Sequence, residues 1–308
     1  MESISVFDLI KVGIGPSSSH TMGPWEAALQ FCKHIQDTGK TEILKKVKVY
    51  LYGSLAKTGK GHGTDFALTL GLAGYDFKKT DTDLLASYYK NILMDKTFLF
   101  AGQKELGYAD VIEFHPEITL EGHPNGLKFE AYFEDQFLIS KTYHSIGGGF
   151  IKEEGVDQVL EERIPSKHPC HTGADILHNC NKLGLKISEL VLLNEQRWLT
   201  ESEIKDKALH LWGEMKSTIW RGCQKDGILP GNLGVQRRAK QIFGKLSEGV
   251  IIESPDEWIA FLNKSSKDFN IVNKWVSVFA LAVNEENAAY GRVVTAPTNG
   301  AAGVLPAV

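Results

Sequence analysis

Apolar residues at Trp25, Ala28, Leu29 and Cys32 recur with a helical period and predict an amphipathic helix near the start of the chain. Lys46-Val47-Lys48-Val49-Tyr50-Leu51-Tyr52 then alternates in the manner of a half-buried strand and runs into Gly53. A glycine-rich block, Lys57 to Asp65, opens a second apolar segment, Phe66 to Leu72, so the theme of strand, loop and helix repeats. Residues 97 to 150 read mostly as strand: Phe98-Leu99-Phe100, Val111 to His115, Leu127 to Phe133 and Phe137 to Tyr143, with turns such as His123-Pro124-Asn125-Gly126 between them. The charged segment Lys152 to Arg163, followed by Pro165 and Pro169, marks a domain boundary, and beyond it the period becomes helical. Thr172-Gly173-Ala174-Asp175 has the form of a capping box ahead of Ile176, Leu177 and Cys180. Ser188 is expected to cap a second helix, and Thr200 to open a long amphipathic run through Trp220. After the break at Pro230-Gly231-Asn232-Leu233-Gly234, an apolar helix is predicted over Val272 to Tyr290. The expected fold class is α+β, with a mixed α/β domain over 1–155 and an all-helical one over 165–308.

Composition narrows the classes of function. At 308 residues, 43% hydrophobic and 23% charged, the chain is globular rather than disordered and long enough for two domains of ordinary size. A net charge of -4 offers no broad basic field, so nucleic acid is not an expected partner. The longest uncharged run, Val293 to Val308, is broken by Pro297, Asn299 and Pro306 and is no membrane span. Glu2, Asp8 and Lys11 interrupt the opening, so no leader is expected and the cytoplasm is the expected compartment. The four cysteines, Cys32, Cys170, Cys180 and Cys223, contain no CxxC pair and are expected as reduced thiols.

Candidate chemistry concentrates in a few glycine-bounded stretches. Gly13-Ile14-Gly15-Pro16-Ser17-Ser18-Ser19-His20-Thr21-Met22-Gly23-Pro24 packs hydroxyls and a histidine against the start of the first helix, where Ser or Thr satisfies orphan N–H groups and an anion is welcome. Capping needs no imidazole, so His20 points beyond a surface cap. Gly59-Lys60-Gly61-His62-Gly63-Thr64-Asp65 fails as a Walker A loop, because five residues separate Gly53 from Gly59 and Gly61 stands where Ser or Thr should follow Lys60. Ser18 likewise stands where a dinucleotide fingerprint needs its third glycine. Tyr143-His144-Ser145-Ile146-Gly147-Gly148-Gly149-Phe150 ends a strand in three glycines, which suits either a flexible corner or close approach to a ligand. His168-Pro169-Cys170-His171 with His178 and Cys180 has metal-like spacing, but Cys180 falls on an apolar stripe and no metal is expected there. His34, His115, His123 and His210 have no partner motif. Val293 to Gly303 suits a small polar ligand, and Asn284-Glu285-Glu286-Asn287 either positions it or is a solvated helix face.

Taken together and in order, five segments resemble the bacterial iron-sulfur L-serine dehydratases (L-serine deaminases): Gly13 to Thr21, Gly59 to Asp65, Ser145 to Phe150, Ile228-Leu229-Pro230-Gly231, and Asn284 to Asn287 into Thr295 to Gly303. The resemblance covers almost the whole chain. It implies an N-terminal substrate-binding-like domain and a C-terminal helical catalytic domain, β-elimination of water from L-serine, and hydrolysis of the resulting enamine to pyruvate and ammonium. Hydroxide leaves poorly, and a metal can lower the pKa of bound water from ~15.7 to ~7, so a Lewis acid replaces pyridoxal phosphate, which is not expected. In the family that acid is a 4Fe-4S cluster held by three cysteines. Its ligands are expected downstream of Val308, so a truncated chain, inactive alone and with no metal ligand of its own, is the expectation.

On this resemblance His20 and His62 are the candidates for proton transfer, with Lys60 and Asp65 orienting them or meeting the charged ends of the substrate. Ser17, Ser18, Ser19 and Thr21, Gly63 and Thr64, Ser145 and the backbone of Gly147, Gly148 and Gly149 are expected to bind L-serine, and Thr298, Asn299 and Gly300 to close the site from the second domain. A homodimer is expected. The alternative is a non-catalytic amino-acid-binding or regulatory module.

Overall fold

A computed structural model describes residues 5–156, 166–231, 233–250, 252–265, 267–296 and 299–308. It has the mixed α/β character expected, with the main sheet in the N-terminal half and a helical C-terminal half. Nine strands occur among the described residues: β1 Lys11–Ile14, β2 Leu44–Tyr52, β3 Thr97–Phe100, β4 Lys104–Gly107, β5 Ile112–His115, β6 Gly126–Phe133, β7 Leu138–Gly147, β8 Phe150–Glu153 and β9 Arg292–Thr295. Five form one sheet in the order β5-β2-β6-β7-β8, in which only the β2–β5 pair is parallel.

The helices Gly23–Asp37 and Thr64–Leu72 supply the other layer. Trp25, Phe31 and Ile35 are fully buried with Val49, Leu51 and Phe129 of the sheet, and Phe31 stacks on Phe129 with ring centroids 4.9 Å apart. Burying side chains of this size contributes about 1.5–3 kcal/mol each. A second apolar cluster, built on Trp258, Trp275, Phe279, Phe243 and Ile219, holds the helical half together. There the helices Glu201–Gln224 and Phe269–Ala288 meet at Gly222, where an added Cβ would lie 2.4 Å from the Ala282 carbonyl oxygen.

The two halves are sewn together by β1 and β9, which pair antiparallel from Lys11↔Thr295 to Ile14↔Arg292. Neither was expected as a strand: Lys11–Ile14 runs into the glycine-bounded serine stretch, and Arg292–Thr295 runs into the polar segment Val293 to Gly303. Gly13 belongs to this seam because Met22 and Thr295 occupy the space a side chain would need. Lys225 reaches across to Asp83 at 2.5 Å, and an Arg292 guanidinium N–H donates to the Thr80 carbonyl at 2.9 Å.

Several local expectations hold, among them the capping box at Thr172 and the start of a long helix at Thr200, which proves to be a capping box as well. Others need correction. Ser188 lies inside the helix Ile187–Glu195 rather than capping it. The helix Gly173–Leu183 buries no residue, and Leu177 is exposed, so the stripe containing Cys180 is not a core face. The helices Gly53–Thr58 and Thr82–Asp95 were not foreseen. Part of the charged boundary segment forms β8, while its remainder over 157–163, with Pro165, lies outside the described residues. Among the described residues no helix is long and apolar enough to cross a membrane.

Candidate active site

Ser17 has extended backbone geometry, and its hydroxyl accepts from the His20 N–H at 3.1 Å, starting the π-helical turn Ser18–Met22 that leads into the helix Gly23–Asp37. A left-handed Gly63 (φ 63°) divides the 3-10 turn Gly59–His62 from the helix Thr64–Leu72. The two turns are laced crosswise. Thr21 donates its hydroxyl proton to the His62 carbonyl at 2.8 Å, and Thr64 donates to the His20 carbonyl at 2.6 Å. Both hydroxyls are fully buried, so these bonds form away from competing water. The lacing brings the His20 and His62 rings to a centroid separation of 5.0 Å, inclined at 40°.

The two imidazoles are held differently. His62 Nδ1 lies 2.9 Å from the Thr58 carbonyl oxygen. A carbonyl only accepts, so Nδ1 carries the proton and, in the neutral ring, Nε2 bears the free lone pair. His20 is engaged at both nitrogens, Nδ1 to the Ser19 hydroxyl at 2.9 Å and Nε2 to the Ser54 hydroxyl at 3.1 Å. Burial, and secondarily the facing His62, lowers the His20 pKa below the ordinary histidine value; the backbone of Ser54 opposes that shift.

Other predicted residues fall around this pair. Ser145 is fully buried and donates to the Ser19 carbonyl at 2.7 Å, bracing the turn from β7. Its hydroxyl also fills the space beside Gly23, where a Cβ would come within 2.0 Å. Gly147, Gly148 and Gly149 all have left-handed backbone (φ 94°, 59° and 72°) and make the β7–β8 corner, with Gly149 against Met22. Ser18 is buried in the turn, and Ser19 is half-buried.

Lys60 and Asp65 are not brought onto the imidazoles. The ammonium of Lys60 sits over the Phe114 ring, 5.1 Å from its centroid. Asp65 accepts from the Phe66 N–H and faces Tyr89, Tyr108 and Tyr290, whose pKa values burial raises and Asp65 raises further. Gly300 is exposed, and Thr298 lies outside the described residues.

The second half contributes through Glu285 to Asn287, and not as a solvated face: Glu285, Glu286 and Asn287 are buried at 3%, 1% and 8% exposure, while Asn284 is exposed. Glu285 accepts from the N–H groups of Arg238 and Ala239, while Glu286 pairs with Arg237 at 2.8 Å and Arg221 at 3.4 Å. Asn287 donates to the Pro16 carbonyl at 3.2 Å and accepts from Asn299 at 3.2 Å. Asn299 is thereby tied, through one residue, to the serine turn. Tyr290 completes the contact, stacked on Phe66 and filling the space beside Gly63.

Ser54, Thr58 and Asn287 are the residues whose part sequence reasoning missed or left open. Gly53-Ser54 at the end of β2 was a usable signal, whereas a backbone carbonyl such as that of Thr58 leaves none. Two surface hollows, of about 420 Å³ beside Tyr75, Tyr88 and Phe98 and about 390 Å³ beside Asp81, Arg221 and Arg292, are not lined by either histidine.

The thiols do not fit a three-cysteine ligand set. Cys32 and Cys223 lie in the two separate cores, where burial raises both pKa values, that of Cys223 to about 12, away from the thiolate a metal requires. Cys170 donates to the His168 carbonyl at 3.3 Å. Among the described residues no three His, Cys, Asp or Glu side chains are grouped to hold a metal ion.

The serine dehydratase beta chain family profile matches residues 5–156, and the serine dehydratase alpha chain profile matches residues 182–308. The L-serine dehydratase of Streptomyces coelicolor is 41% identical over 313 residues, and L-serine dehydratase 1 of Escherichia coli is 42% identical over 311; each alignment covers 99% of this chain and 65% of the relative. The L-serine dehydratase of Helicobacter pylori is 33% identical over 315 residues, 100% of this chain and 65% of that protein. The chain therefore spans 65% of the length of these curated relatives.

Proposed function

The chain belongs to the serine dehydratase family, and on that premise we propose that it takes part in the dehydration of L-serine to aminoacrylate, which becomes pyruvate and ammonium. The observation that carries this reading is the histidine pair, in which His62 Nδ1 is committed to a carbonyl and Nε2 is left as an acceptor.

His62 Nε2 takes the proton from Cα of the substrate, a task suited to an imidazole near neutral pH. His20 is held at both nitrogens and orients the pair. The substrate carboxylate is received at the Ser17–Ser19 end of the turn, where the N-terminal dipole of the continuous helical run from Ser18 to Asp37 favours an anion. Thr21, Thr64 and Ser145 spend their hydroxyl protons on carbonyls and act as braces that keep this geometry.

Loss of hydroxide requires an acid, and the family resemblance assigns that role to an iron-sulfur cluster. The cysteines of this chain do not fit its ligand set, so the steps derived for these residues stop at the carboxylate and the Cα proton. The proposal includes the division into domains over 1–155 and 165–308. It also includes the cytoplasm, with which the four free thiols accord.

The test is His62→Gln in the native protein. Removing a general base should lower pyruvate formation by at least about 100-fold while L-serine still binds. Unchanged turnover would remove His62 from the chemistry.

A further inference from the structure

Asn299 is 6% exposed, and its side-chain oxygen is buried with no hydrogen-bond donor among the described residues. Buried polar atoms are nearly always paired, so an orphan acceptor this close to a proposed substrate site calls for an explanation.

The orientation of the amide follows from its neighbours. The Pro16 carbonyl can only accept, so Asn287 must turn its NH₂ group toward it, which it does at 3.2 Å. The Asn287 oxygen is then the atom facing Asn299, and it can only accept. Asn299 must therefore present its own NH₂, at 3.2 Å, leaving Oδ1 as the open end of the relay. A reversed Asn299 would set two oxygens against each other.

Asn287 has little freedom to reverse this order. It follows Glu286, which is fixed by Arg237 and Arg221, and Glu285, which is fixed by the N–H groups of Arg238 and Ala239. The Gly15–Pro16 loop lies flat on this helix end, since a Cβ on Gly15 would come within 1.9 Å of the Asn287 carbonyl oxygen. The same loop continues into Ser17 and His20.

We propose that Asn299 Oδ1 receives the ammonium group of the amino-acid substrate, and that Asn287 is the positioning residue that turns this oxygen away from itself. This rests on the L-serine reading above and deepens it. A neutral acceptor closed off from water favours a cationic N–H donor and offers nothing to a carboxylate or to a substrate lacking the amine. The relay would select α-amino acids over the corresponding deamino acids.

Calorimetry on the native protein with two probes, L-serine and 3-hydroxypropanoate, which lacks only the ammonium, tests this. Asn299→Ala should weaken L-serine binding about tenfold to hundredfold, the range for a hydrogen bond to a charged group, and leave 3-hydroxypropanoate within about twofold. Asn287→Asp keeps the size of the side chain but sets an oxygen against the Pro16 carbonyl, and should produce the same selective loss. Equal loss of both probes would reduce the asparagines to bracing and overturn the proposal, as would no loss of either. If the unaltered protein bound 3-hydroxypropanoate as tightly as L-serine, the ammonium subsite would be disproved while the acid-binding site stood. Binding of neither probe would instead sink the L-serine reading itself.

Discussion

The histidine-bearing turns and the Asn287–Asn299 segment face the same loop but are held by opposite means. The turns are fastened by neutral hydroxyl-to-carbonyl bonds, Thr21 to His62 and Thr64 to His20, each spanning about 40 residues of chain. The asparagines hang instead from buried charges, with Glu286 at 1% exposure against Arg237 at 7%. Removing a neutral bond leaves one carbonyl unpaired, whereas removing a buried carboxylate strands the cations that faced it. The first region should loosen by degrees and the second should fail as a unit.

Glu286→Ala should therefore have the largest effect. Loss of one partner from a buried ion pair typically costs about 3–5 kcal/mol, to be read from urea unfolding, and Asn299 should lose its place together with Asn287. A cost below about 1 kcal/mol would erase the contrast. Thr21→Val keeps the shape but leaves the His62 carbonyl without its donor and the Ser17 N–H without its acceptor, for a loss of about 1–3 kcal/mol. It should also slow pyruvate formation by widening the histidine pair.

The smallest effect concerns protonation. The folded pKa of His20 is lowered, while an unfolded histidine titrates near ~6.5. As pH falls below that value the unfolded chain takes the proton first, so the contribution of His20 to stability is present above it and is lost on acidification, down to the folded pKa. The Ser54 backbone supports the charged ring, so Ser54→Ala, which removes only the hydroxyl, should leave the His20 midpoint below the ordinary histidine value, as followed by proton NMR of the imidazole. A midpoint at or above the ordinary histidine value would show that burial does not govern it.

Much of the scaffold could be read from local pattern. Alternation marked β2, helical spacing marked Gly23–Asp37 and Phe269–Ala288, hydroxyl-to-acid spacing marked the cap at Thr172, and Thr200 marked the start of the long helix Glu201–Gln224. The serine turn and His62 stood out because glycine, hydroxyl and histidine are seldom mixed without a reason. Lys60 and Asp65 were grouped with them by proximity in sequence, but rotation about the helical axis carries Asp65 to the tyrosines, and the long Lys60 side chain finds Phe114. Whether Glu285 and Glu286 position the ligand segment or face solvent stayed open, because a sequence does not show which acids will meet buried arginines.

The sequence by itself determined the α+β class, the order of the main helices and the residue types of the site, since these depend on periodicities and caps spanning a few residues. Only the tertiary structure decided the β1–β9 seam, the crosswise lacing that sets His20 beside His62, and which end of the Asn299 amide stays unpaired. Those outcomes depend on partners from 12 to about 280 positions away, whose meeting is governed by the packing of two cores, and no local pattern encodes that.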